Sequence, residues 1–133
     1  MTKHNKPKVT VEELTKAYER LEKFSRKKNT MQEQMTIVKA FEVCYELAWM
    51  LIEKAVLDEG IRVNFPSNIF IEAAKCKLIK KPQIWIGFLA KRNKFMHRYD
   101  MEIVEEIIEI IPAFKKEVED LMGVLKKEYE KSN

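Results

Sequence analysis

The sequence predicts an all-α protein, an up-and-down four-helix bundle with one extra short helix, and three observations carry that prediction. Only three glycines and four prolines interrupt 133 residues, and helix-compatible Glu, Lys, Leu, Ile and Met are plentiful. Apolar residues recur at three- and four-residue steps rather than in alternation. Finally, two Thr-x-x-Glu sequences, Thr10 with Glu13 and Thr30 with Glu33, stand ahead of such runs. In that pattern a hydroxyl and a carboxylate reciprocally satisfy the amides of a helix start.

Taken in order, residues 1–9 are polar and basic with Pro7, so a disordered tail is expected there. Residues 10–130 are expected to form one domain, because 46% apolar residues suffice for a single core. The first helix should start at Thr10, set Leu14, Tyr18, Leu21 and Phe24 on one face and reach about Lys28, with Asn29 turning the chain. The second should start at Thr30 and stop at Gly60. Its apolar positions, among them Ile37, Phe41, Cys44, Tyr45, Ala48 and Ile52, cover more than one narrow face. Such a helix is either the centre of the bundle or shared with a second subunit. A short third helix should open at Pro66 or Ser67 and end near Cys76. Lys80, Lys81 and Pro82 separate it from a fourth, helical from about Ile84. Asp100 reads as the N-cap of a last helix reaching about Lys127, with Glu102 and Glu105 in its first turn and Pro112 expected to kink it.

Several function classes drop out. No apolar run follows the basic first residues, so no export signal is expected. Nothing approaches the roughly 18 uninterrupted apolar residues of a membrane span, and a cytoplasmic protein without membrane contact is expected. Cys44 and Cys76 are isolated, which suggests reduced core thiols rather than a zinc site. Neither a metal nor a cofactor is expected.

Charge is unevenly placed. Residues 73–99 hold eight basic residues and no acid, whereas residues 100–130 hold ten acids against four lysines. An anion such as RNA or a nucleotide would be drawn to the first block; the plainer reading is a solvated helix face. Within that block lie Lys91, Arg92, Asn93, Lys94, Phe95, Met96, His97, Arg98, Tyr99 and Asp100. On a helix Trp85, Phe88, Leu89, Arg92, Met96 and Tyr99 share a stripe that should be buried. A buried guanidinium needs a partner, either a carboxylate, a carbonyl or a phosphate. Glu46 is a candidate, since it lies between Tyr45 and Leu47; the alternative is a surface row with Glu42 and Glu53. Asn93, His97 and Asp100 fall on a neighbouring face. Arg92 and His97, five apart, differ by roughly 140° of rotation. Either the helix ends near His97 or a second copy of the chain completes the site.

The pattern R-N-x-x-x-H-x-Y at Arg92, Asn93, His97 and Tyr99 resembles the HEPN superfamily, in particular its nucleotidyltransferase substrate-binding branch. Phe41, Glu42, Tyr45, Glu46, Leu47, Ala48 and Trp49 followed by Gly60 resemble that branch's second helix, and residues 69–79 with Pro82 and Trp85 its third helix and the entry to the fourth. Met96 departs from the small polar residue usual before the histidine. The resemblance implies a homodimer whose cleft brings Arg92 and His97 together as a metal-independent ribonuclease. Neutral His97 would take the 2′-hydroxyl proton, Arg92 would stabilise charge on the phosphate, and Asn93 would orient them. It also implies a separate minimal nucleotidyltransferase, as in toxin-antitoxin pairs, that adds AMP to Tyr99. The same branch resembles the helical substrate-binding part of kanamycin nucleotidyltransferase, which implies the alternative of a non-catalytic substrate-binding subunit. No G-S motif with paired aspartates is present to support nucleotidyl transfer by this chain alone. The first expectation is therefore the HEPN member of a two-component system, with RNA cleavage, and the second is the binding subunit.

Overall fold

The computed structural model describes residues 9–98 and 100–132, with side chains described as far as Glu128. Five helices follow in order: α1 Val11–Phe24, α2 Met31–Asp58, α3 Asn68–Lys75, α4 Pro82–His97 and α5 Met101–Ser132. Among the described residues there is no strand, and the all-α class is as expected. Residues 1–8 of the expected tail lie outside the described residues, and Val9 packs half-buried against the core.

Both capping boxes form. The Glu13 amide donates to Thr10 Oγ1 at 3.1 Å and the Glu33 amide to Thr30 Oγ1 at 3.1 Å, each glutamate returning an acceptor to the threonine amide. The first helix ends at Phe24, short of Lys28. Residues 25–30 are all polar, so no burial holds another turn, and the Ser25 hydroxyl donates to the Glu22 carbonyl instead. Gly60, at φ 82°, closes α2 where expected. The third helix begins at Asn68, after Ser67, whose side chain makes no cap bond. The fourth begins at Pro82, two residues before Ile84, because a first-turn proline lacks only an amide that would have no helical partner. Asp100 caps α5, its Oδ1 accepting from the Ile103 amide at 2.9 Å. The last helix continues through Pro112, whose ring is exposed.

The first helix packs on α2 and α5, α2 and α4 each pack on α5, and α3 bridges α2 to α4. A chain of aromatic rings threads the core. Phe41 of α2 meets Phe114 of α5 at 4.8 Å, and Phe114 meets Phe88 of α4 at 5.1 Å. Trp85 stands against Phe88 at 5.4 Å and stacks on Phe70 of α3 at 5.7 Å. Edge-to-face rings add about 0.5–1.5 kcal/mol per pair beyond their burial, so this chain fixes how α4 sits on the rest. Tyr18 of α1 donates to Glu119 of α5. Both cysteines are free, Cys44 buried with its thiol pushed up to about 12 by desolvation. Cys76 is half-buried rather than a core thiol. No helix among the described residues is long and apolar enough to cross a membrane.

Candidate functional site

The flank between α2 and α4 gathers part of the predicted site. Arg92 Nη2 donates to Glu46 Oε2 at 3.0 Å, linking the middle of α2 to the last turns of α4. The two side chains are 26% and 42% exposed, so the guanidinium is shielded rather than buried. The expected buried row is therefore corrected. Trp85 is fully buried, Leu89 is half-buried and Met96 is 56% exposed, while Phe95 at 4% turns inward instead. The cause is the length of α3. That helix has eight residues, and its Phe70 stacks on Trp85 in the first turn of α4. Beyond it the row opens to solvent, and the inner face swings toward α5, where Phe88 and Phe95 lie buried.

The fourth helix ends at His97, with Arg98 extended at φ −144° and ψ 126°. His97 is exposed, and its side chain makes no hydrogen bond or ion pair among the described residues. Asn93 is exposed and gives Arg92 Nη1 a long acceptor at 3.5 Å. Asp100 braces the turn, one oxygen capping α5 and the other forming an ion pair with Arg98, 3.1 Å from its Nε. Tyr99, the expected modification site, lies outside the described residues. Arg92 and Glu46 are thus brought together within one chain, and no bond joins Arg92 to His97.

Two neighbours of the pair were read from the sequence only as core or family pattern. Tyr45 is 1% exposed and its hydroxyl has no hydrogen-bond partner among the described residues. Burial raises its pKa, the Arg92 charge pulls it down and Glu46 pushes it up, for a net rise. Trp49, one turn along the same flank, has a buried indole N–H that is also unpartnered. Their signal was the spacing of Tyr45, Glu46 and Trp49, which puts all three on the side of α2 toward α4. Met50 and Met96, each one turn beyond a member of the ion pair, are 38% and 56% exposed. The flank therefore combines the Arg92–Glu46 pair with the unpartnered Tyr45 and Trp49 groups and the flexible apolar side chains of Met50 and Met96.

The basic block itself is partly paired with acids. Glu106 of α5 accepts from Lys91 at 2.7 Å and stands 3.6 Å from Lys94. The hydrogen bond from Lys91 holds the Glu106 carboxyl below its ordinary value. Among the described residues no cluster suited to a metal ion forms.

The family described as nucleotidyltransferase substrate binding protein like matches residues 9–127, nearly the whole chain. The chain belongs to this family. Two solved structures share the fold of this nucleotidyltransferase substrate-binding family member. One, from Haemophilus influenzae, is described as revealing the fold of a substrate binding domain of a nucleotidyltransferase. It is 21% identical with a TM-score of 0.75, over 88% of this chain and 99% of that one. The other, from Thermus thermophilus, is 20% identical with a TM-score of 0.74, over 84% of this chain and 98% of that one. None of the curated proteins compared matches the chain. Arg92, Asn93, His97, Glu46 and Asp100 all fall within the span that the substrate-binding family covers.

Proposed function

We propose that the chain is the non-catalytic substrate-binding subunit of a two-polypeptide nucleotidyltransferase, with the α2–α4 flank as its binding surface. The observation that carries this reading is the Arg92–Glu46 pair, set in a chain whose family is described as nucleotidyltransferase substrate binding protein like. A half-exposed ion pair is a weak bond, worth about 0–1 kcal/mol, so a ligand exchanges with it at little cost. An anionic group on the substrate takes Arg92, a hydroxyl or amine takes Glu46, and Met50 and Met96 adapt to the ligand's apolar body. The separate nucleotidyltransferase brings nucleotide and metal. A second copy of the chain completes the assembly, an arrangement supported by exposed Met50 and Leu57, seven residues apart on α2, and by Met101 beside the α4–α5 turn. Light scattering is expected to give a dimer at micromolar concentration, and a monomer there removes that part of the proposal.

The HEPN ribonuclease reading competes because Arg92, Asn93, His97 and Tyr99 keep its sequence pattern. It requires Arg92 to leave Glu46 and meet a histidine, most simply that of a second copy, with RNA as substrate and Tyr99 as the adenylylation site. Expression of the wild-type chain beside Arg92→Ala and His97→Ala in a bacterial host separates the readings. The binding-subunit reading expects intact total RNA and normal growth from all three. Cleavage and arrest that vanish in both variants would establish the ribonuclease instead. Thermal-shift screening with anionic and aminated small molecules supplies the positive arm, with stabilisation expected in the wild type and lost in Arg92→Ala and Glu46→Gln.

A further inference from the structure

Between α1 and α2 lies a surface to which the sequence pattern assigns no role. Ala17, Arg20 and Phe24 recur one turn apart along α1 and face Thr36, Ala40 and Val43 along α2. Between these rows is a hollow of about 300 Å³. It continues, through the shared Phe24 and Thr36, into a second hollow of about 440 Å³ beyond the end of α1. The alanines keep the floor low, while Phe24 and Val43 remain 39% and 43% exposed. Five cations, Arg20, Lys23, Arg26, Lys27 and Lys39, line the two hollows against a single carboxylate, Glu33.

That carboxylate is already engaged by the Asn29 and Thr30 amides, which hold its pKa down. Arg26 is paired with Glu22 at 2.7 Å, and Lys39 stands 3.9 Å from Glu42. Arg20 and Lys23 have no ion-pair partner among the described residues. The trough thus joins an apolar floor to a rim of net positive charge, on which Arg20 and Lys23 stand without a carboxylate partner among the described residues. Its rows span about 10 Å, two turns of helix.

We infer that this trough docks an acidic amphipathic helix of a partner protein, with two apolar side chains one or two turns apart entering the hollows and carboxylates meeting the rim. Charge complementarity selects this occupant. A nucleic-acid backbone gains nothing from Phe24, Ala40 and Val43. A second copy lacks a suitable helix, since the apolar face of its acidic α5, including Ile103, Ile107 and Phe114, is buried in its own core. The inference does not use the reading of the Arg92–Glu46 pair, whose carboxylate lies on α2 one turn beyond Val43 and outside the lining of the trough.

The test uses a fluorescein-labelled synthetic helix of about 15 residues, long enough to hold helical structure, with leucine at three- and four-residue steps and glutamate on the other face. Anisotropy should show saturable binding by the intact chain, and amide shifts should map to Ala17, Thr36 and Ala40. The double variant Arg20→Glu with Lys39→Glu, both exposed positions, should bind about tenfold or more weakly while melting as the wild type does. Absence of saturable binding overturns the inference. So does equal affinity for the same peptide with lysine in place of glutamate, or a shift map centred on Arg92. Displacement of the peptide by ATP with shifts at the same amides would reassign the trough to a small phosphate ligand.

Discussion

The basic block of α4 and the rim of the α1–α2 trough carry similar numbers of cations, yet they present different surfaces. On α4, Arg92 faces Glu46, and Lys91 and Lys94 share Glu106. Around the trough, Arg20 and Lys23 face solvent beside an apolar floor. The cause is topological. A short turn at Asp100 folds acidic α5 back against α4, so the positive and negative blocks that adjoin in sequence become neighbours in space and partly offset each other. The end of α1 meets instead the start of α2, where the one lining carboxylate is used in a helix cap. Positive potential on a surface depends on what packs beside the cations as much as on how densely they occur in the chain.

The largest effect tests what holds α4 in that position. Phe88 is 3% exposed and stands edge-on to Phe114. Phe88→Ala is expected to cost about 3–5 kcal/mol, the usual range for emptying an aromatic site in a close-packed core. Denaturant melts measure it. A loss under about 1 kcal/mol would mean that α4 is held by its ion pairs rather than by the ring chain.

A smaller effect is expected at the ion pair. Arg92→Ala and Glu46→Gln should each change stability by less than about 1 kcal/mol, because both side chains keep access to solvent. A loss of about 3 kcal/mol or more in either would mark a charge left buried without its partner, and the flank would then be a structural lock rather than a binding surface. Ligand-induced stabilisation measured on the same variants separates the two roles.

Much of this arrangement was legible in the sequence because it is local. The two capping boxes, Gly60 and the Asp100 cap each rest on a contact within four residues. The Glu46 partner was legible for a different reason: a guanidinium on an apolar stripe needs a carboxylate, and Glu46 lay on the right kind of helix. What stayed hidden is non-local. Burial of Phe95 in place of Met96 depends on how far α3 reaches along α4. The trough depends on the register that sets residues 17, 20 and 24 against 36, 40 and 43, and its cations are spread over the end of α1, the turn after it and the start of α2. The neutralising role of Glu106 was within reach, since the short turn after α4 already implied an antiparallel neighbour.

The smallest expected effect probes that neutralisation through pH. Lys91 holds the Glu106 carboxyl below its ordinary value of 4.5 in the folded chain, with Lys94 adding to the effect. The unfolded chain therefore binds this proton more readily than the folded one. The contribution of Glu106 to stability is complete above the unfolded value and is lost as the pH falls through the lower folded value. Lys91→Ala should remove most of it, so wild type and variant should differ above about pH 5 and converge as acid protonates the carboxyl. Melting temperatures taken from neutral pH into the acid range at low salt give the comparison. A gap that persists undiminished in acid would show that Lys91 contributes through its aliphatic stem against α5 rather than through its charge. The basic block would then count as apolar cover for α5 as much as a field compensated by it.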